Sequence, residues 1–297
     1  MNPRQRAILD ISLVAILWGI PPLFIRYFTA YLDAHSQNFL RYLTAWLFLL
    51  IYGLLSGQEI LPRRRAGYLR LFVAAVAVVI YQTFFTLSLY RAMPTVVSLL
   101  VQLELIVAIA LSCAFFRDER RVALSPWFIC GAIGALAGAV GVVVFSEQFA
   151  EAGAQPEAWE NLAGGALLVV GAAVFWGAYS VAVKWSAQAI SPFRLFFFVA
   201  TMAAIMFFAL GVAVGDLAAI GKLPLSVGLL VCMTGVACIG IAHVLYARSI
   251  VWLGVSVCNT VILASPIVVM AISPLVFGER LTGLQILCAM LLLVGAA

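Results

Sequence analysis

Ten apolar runs, most of them long enough to cross a bilayer, fill this 297-residue chain almost end to end. A hydrocarbon core takes about twenty residues of helix. The runs are 7–25, 38–56, 68–89, 94–116 and 124–145, then 162–183, 192–214, 224–246, 253–277 and 281–297. Charged residues make up 10% of the chain and hydrophobic ones 65%. A soluble domain is about a quarter charged, so this chain cannot cover itself with a polar surface. The expected class is an all-α integral membrane protein of ten transmembrane helices. The first run lacks a small-x-small cleavage site and is interrupted by Pro21 and Pro22, which argues for a span over a signal peptide. The shortness of the tenth leaves room for a cytoplasmic tail beyond Ala297.

The least apolar stretch, 146–161, reads SEQFAEAGAQPEAWEN and carries Glu147, Glu151, Glu157 and Glu160 with no cation. It divides the chain into a first unit, 1–145, and a second, 162–297. No Lys or Arg occurs between Arg121 and Lys184, and cytoplasmic loops are the ones enriched in cations. With the N-terminus inside, the cytoplasmic segments hold Arg4, Arg6, Arg63, Arg64, Arg65, Arg70, Arg117, Arg120, Arg121, Lys184, Arg194 and Arg248. The outside holds Arg26, Arg41, Arg91, Lys222 and Arg280, twelve against five. Both termini are therefore expected in the cytoplasm, and the acidic linker outside it.

The two units repeat. Leu17-Trp18-Gly19 with Arg26 recurs as Phe175-Trp176-Gly177 with Lys184, an offset of 158 at both the tryptophan and the cation. Tyr90 is echoed by Tyr246. Phe116-Arg117-Asp118-Glu119-Arg120 is echoed by Phe277-Gly278-Glu279-Arg280. Five spans per unit send the second copy through the membrane upside down, an arrangement suited to alternating access about a midplane site.

These tryptophan-glycine pairs, with Ser265-Pro266 and Gly278-Glu279-Arg280-Leu281-Thr282, resemble the drug/metabolite transporter superfamily of the EamA type. The first unit departs from the pattern, with Ile106 where the second has Pro266 and Asp118 in place of Gly278. Length and membrane-embedded polar aromatics are most similar to the YddG-type exporters of aromatic amino acids. The resemblance implies a secondary transporter of the cell (inner) membrane.

Glu104 lies near the middle of its run, where insertion scales charge an ionised carboxylate about 2.5–3.5 kcal/mol, and Gln102 is close by. It reads either as an amino-group acceptor or proton-exchanging carboxyl, or as a protonated glutamic acid bonded to a neighbouring helix. His243, placed about one turn from the cytoplasmic end of the eighth run, suits a substrate carboxylate or a structural role. Tyr81, Gln82 and Asn259 are further candidates for substrate hydrogen bonds, or interhelical glue. Trp18, Tyr81, Trp176 and Tyr179 sit away from the interfaces where Trp and Tyr anchor, offering stacking faces or core packing. Pro21, Pro22 and Pro266 free backbone carbonyls within spans and are hinge candidates. Gly131, Gly134, Gly138 and Gly141 form a small-residue stripe for close helix approach, within the fold or in a homodimer.

Six cysteines in apolar runs, none in a C-x-x-C pair, read as small buried hydrophobes. No metal or other cofactor is expected. The cations stand in short clusters, which is no nucleic-acid signature. There is no G-x-x-x-x-G-K-[ST] for ATP hydrolysis and no H-E-x-x-H. With one carboxyl and one imidazole counted within the spans, an intramembrane enzyme is disfavoured, and no repeated polar filter suggests a channel. Because the spans' cations lie near their ends, a zwitterion or weakly cationic amphiphile fits better than a multiply anionic ligand. Export of amino acids, aromatic ones included, is the expected function, with export of cationic or amphipathic drugs and metabolites as the alternative. A cysteine introduced at Glu151 or Glu157 should react with a membrane-impermeant maleimide in intact cells, above the background of the native cysteines; labelling only after lysis refutes the orientation.

Overall fold

Hydrocarbon offers the backbone no hydrogen-bond partners, so a lipid-exposed span must close its own hydrogen bonds as a helix. The computed structural model describes residues 2–58, 60, 67–116, 125–152 and 156–296. Among them every regular element is helical. They are α1 (Pro3–Gly19), α2 (Pro21–Phe28), α3 (Ala34–Leu55), α4 (Gly67–Leu89), α5 (Pro94–Leu100), α6 (Leu103–Phe115) and α7 (Pro126–Val144). After them come α8 (Glu147–Ala152), α9 (Pro156–Ala187), α10 (Pro192–Val214), α11 (Leu225–Thr234), a π turn (Gly235–Ile241), α12 (Ala242–Ile262), α13 (Ser265–Phe277) and α14 (Gly283–Ala296). Arg63, Arg64, Arg65, Arg117, Arg120 and Arg121, together with Asp118 and Glu119 of the echoed connection, lie outside the described residues.

Eight stretches among the described residues are long and apolar enough to cross a membrane. The last of them, Leu225–Phe277, has 53 residues, more than twice what one crossing needs. It doubles back. Gly254 takes a φ of 83°, open to glycine at no steric cost. Tyr246 then touches Asn259, thirteen positions on, where an unbroken helix would separate them by about 20 Å. A shorter apolar helix, Gly283–Gly295, follows. Large apolar side chains such as Trp127 and Leu275 face outward, 88% and 85% exposed, as lipid contact requires.

The acidic segment 146–161 is largely helical, since α8 occupies its first half and α9 begins at Pro156, where proline suits a first turn. Two expectations are corrected. The cysteines are not uniformly buried: Cys238 and Cys258 are, Cys130 is exposed on the lipid side, and no disulfide joins any of the six. A second carboxyl lies within the spans, because Asp10 sits in α1 and takes Nε and Nη2 of Arg248 at 2.5 and 2.6 Å.

Threading follows from which ends meet. One end of the bundle joins Asp10 to Arg248, Arg70 to the Trp185 carbonyl at 3.4 Å, and Lys184 to the Phe116 ring at 4.6 Å. The opposite end joins Asp33 to the Asp216 amide at 2.9 Å, Arg26 to the Leu89 carbonyl at 2.9 Å, and Thr282 to the Phe145 carbonyl at 2.9 Å. There too Thr95 donates to Glu279, and Gln148 bridges the Arg91 carbonyl and the Met93 amide. So α9 begins at the end where α2 finishes, and the two units run in opposite senses.

The repeat is visible in local chemistry as well. A Cβ on Gly19 would lie 2.8 Å from the Ser265 carbonyl oxygen, and one on Gly177 2.9 Å from Val107; each tryptophan-glycine helix thus crosses the broken span of the other unit at van der Waals limit. Ser125 accepts from the Phe128 amide at 3.1 Å, and Thr282 from the Gln285 amide at 3.1 Å, so α7 and α14 begin on the same cap. The glycine stripe of α7 packs against α14, with Gly138 against Leu292 and Cys288 and Gly131 against Gly295. Its use is within the chain.

Asp33 caps α3 through the His35 and Ser36 amides, at 2.9 and 3.0 Å, while its second oxygen holds Asp216. Burial works to raise its carboxyl; the neighbouring Ser36 hydroxyl and the amides of Asp216, Ser36 and His35 outweigh that and hold it below the usual carboxylate range. Its stabilisation is therefore present above the unfolded-state value of about 4 and is lost as pH falls through the lower folded one. Asp33→Ala should cost about 1–2 kcal/mol at pH 7, and the melting temperatures of the two proteins in detergent should converge at acid pH.

Candidate functional site

Where the units meet, α1, α4, α6, α9 and the π turn converge on a small cavity of about 50 Å³. Trp18 ends α1, just before the break that Ile20 and Pro21 impose. Trp176 is at the matching place on α9, and the two rings meet edge to face, centroids 4.9 Å apart. The π turn accommodates them. Its Cys238 carbonyl accepts from Trp18 Nε1 at 2.9 Å, and π segments inside α-helices recur at functional sites. Gly235 within it lies against the Arg41 carbonyl of α3, a contact a side chain would obstruct.

Of the eight side chains singled out from the sequence, Trp18, Tyr81, Gln82, Glu104, Trp176 and His243 line the cavity. Tyr179 and Asn259 stand behind it. Asn259 Oδ1 accepts from Trp176 Nε1 at 3.2 Å and from Tyr246 at 3.3 Å, and Tyr246 shares a 2.8 Å bond with Ser180. This network fixes the Trp176 ring from the rear, while Tyr81 leans on its face with centroids 4.8 Å apart. Pro21 and Pro22 line the cavity; Pro266 does not, although its neighbour Ser265 does.

His243 lies deeper than its sequence position suggests. The helix runs on past residue 246 to the turn at Gly254, so the imidazole is more than two turns from the bundle end. Its Nδ1 faces the Ile239 carbonyl at 3.2 Å, which makes Nδ1 the donor and leaves Nε2, buried without a partner, as an acceptor. The ring stacks on Phe196 at 4.6 Å.

Glu104 is held at a break. The fourth span is interrupted at Val101 and Gln102, and Glu104 enters the first turn of α6, where the amide ends favour negative charge. It is 5% exposed, and Oε2 has no hydrogen-bond partner. Gln102 beside it donates to the Ser98 carbonyl at 3.0 Å.

The largest correction concerns Arg41. Counted with the outer cations by sequence, it lies in the cavity wall, 1% exposed, with Nε and Nη1 unpaired. The spans' cations therefore do not all lie near their ends. The signal was the spacing of Gln37, Asn38, Arg41 and Thr44, a polar face three to four residues apart on one helix. Phe85, Ser98, Ile262 and Val269 also line the space and carry no mark that separates them from ordinary core.

A model of the family described as EamA-like transporter family matches the chain twice, over 5–144 and 163–297. The chain belongs to the EamA-like transporter family. These two matches begin 158 residues apart, the offset of the tryptophans. Among solved structures, the fold is similar to that of a chain titled "Crystal structure of protein", with a TM-score of 0.67 and 22% identity. That likeness covers 98% of this chain and 94% of the other. A search of curated proteins gives no match. Family membership makes this a multi-pass membrane transporter of small molecules.

Asn259 serves two donors while Trp176 Nε1 serves one acceptor. Asn259→Leu should therefore lower the melting temperature more than Trp176→Phe, which keeps most of the ring and loses about 1 kcal/mol. Equal losses would remove the bracing role of Asn259.

Proposed function

We propose that the protein is a secondary transporter that exports amino acids, aromatic ones included, by alternating access around this cavity. The observation that carries the reading is the joining of an aromatic wall, Trp18, Tyr81 and Trp176, to a deep unpaired carboxyl, Glu104. An aromatic side chain finds stacking faces there, and an ammonium group finds a hydrogen-bond acceptor in the Glu104 carboxyl. The resemblance to YddG-type exporters points to the same class of solute.

The reading includes ten spans, counting Leu225–Phe277 as two and Gly283–Gly295 as one, in an inner cell membrane with both termini cytoplasmic. The opposed threading of the units and the breaks at residues 19–21, 101–102 and 263–264 support a rocking mechanism, since broken helices at a repeat interface mark transporter sites. Pro21, Pro22 and Pro266 beside those breaks are the proposed hinge residues. Cationic drugs are the weaker alternative, because they would meet the charge of Arg41 in the same space.

Proteoliposomes should accumulate labelled phenylalanine saturably, with tryptophan competing more strongly than threonine; no saturable flux of any of them refutes the amino-acid reading. Glu104→Gln should lower phenylalanine flux at least about tenfold, the scale of one lost charge-assisted hydrogen bond. Undiminished flux would remove Glu104 from the site.

A further inference from the structure

Two ionisable side chains of the cavity wall, Arg41 and Glu104, are buried and incompletely partnered, and they are not equivalent. A carboxyl shed of its charge by taking up a proton can rest in an apolar wall; a guanidinium keeps its charge in proteins. A buried cation demands an anion, or the site is strongly destabilised. The protein shows at Arg248 what such a demand looks like when met, with both oxygens of Asp10 within 2.6 Å. No ion pair joins Arg41 to an acid among the described residues, and its Nε and Nη1 have no hydrogen-bond acceptor.

The repeat sharpens the point. The position matching Glu104 in the second unit is uncharged: Ala264 at the 160-residue offset that pairs Ile106 with Pro266, or Ile262 at the tryptophan offset. Arg41 corresponds to Val199, buried in the apolar core. Architectural symmetry is thus kept while ionic groups fall on the first unit alone. A ligand in this space meets the ionisable groups of α3 and α6 from the first unit and ring faces from both units.

We infer that Arg41 is a carboxylate-binding residue, and that a free carboxylate, with or without an amino group, is the feature the ligand must carry. The inference rests on the reading of this cavity as the site for aromatic amino acids and goes beyond it: aryl-alkyl acids lacking the amine belong to the substrate class, and aryl-alkyl amines lacking the acid do not. Paired donors of a guanidinium match the two oxygens of a carboxylate, whereas an ammonium ligand brings a second positive charge.

The test is equilibrium binding to the full chain in lipid nanodiscs, measured calorimetrically with L-phenylalanine, 3-phenylpropionate, phenethylamine and L-phenylalaninamide. The two acids should bind most tightly, with 3-phenylpropionate weaker than L-phenylalanine by roughly the tenfold ascribed to the Glu104 contact, and the amine and the amide on the order of 100-fold more weakly than L-phenylalanine. R41Q should bring the acids down to the level of the amine, and R41K should restore part of the difference by charge without the fork. Phenethylamine binding as tightly as phenylalanine, or R41Q retaining acid affinity with an unchanged melting temperature, overturns the inference and leaves the aromatic cavity standing. Binding of none of the four overturns the amino-acid reading and this inference together. Should R41Q fail to fold, the four-ligand comparison in the unaltered protein decides alone.

Discussion

In hydrocarbon a polar group that finds no partner inside the protein finds none at all, and this constraint orders the whole molecule. It makes the spans helical, and it sends the polar side chains inward to the seam between the units. Along that seam most bonds are closed: Trp18 on the Cys238 carbonyl, Trp176 on Asn259, Asn259 under Tyr246, Gln82 with Thr86 at 3.0 Å. Other buried atoms, such as Tyr42 OH and Trp46 Nε1, are also left open, but Arg41, Glu104 and His243 Nε2 gather around one space, where a solute with its own polar atoms can complete them.

The seam is also where backbone regularity gives way. The break before Pro21, the break at Val101 and Gln102, the turn before Ser265 and the π turn from Gly235 all border the cavity or contribute to its wall. By contrast α7 and α14, packed on each other through glycines at the periphery, run without interruption. Rigidity and irregularity are thus separated in space, with straight helices bracing a broken centre. Both ends of the seam are bonded, by Asp10 with Arg248 at one and Thr95 with Glu279 at the other.

Much of this was legible from residue order because membrane spans are long, uniform signals. The apolar runs, the tryptophan-glycine repeat and the mid-span placement of Glu104 pointed to the fold and to six of the cavity's side chains. What failed had a shared cause: distances along the chain were read as depths in the bilayer. Arg41 follows a connection by only eight residues and was counted as a surface cation, yet the polar face of α3 turns inward. His243 was placed near an interface because the helix was ended at Tyr246 instead of at Gly254. Asp10 was overlooked as a charge within a span, and only the fold shows that Arg248 neutralises it. For Asn259 and Tyr179 the sequence leaves ligand contact and packing both open, because a hydrogen-bonding or aromatic residue looks the same in sequence whether it faces a cavity or supports a side chain that does.

The uneven distribution of charge between the units has an evolutionary reading. Two copies of the first unit, assembled head against tail, would bring a pair of arginines and a pair of glutamates into one small chamber; two copies of the second would bring none. Neither unit can now stand in for its sibling, so the fused chain has become a division of labour, and the duplication from which such a repeat descends can no longer be undone without losing the dipolar character of what it encloses.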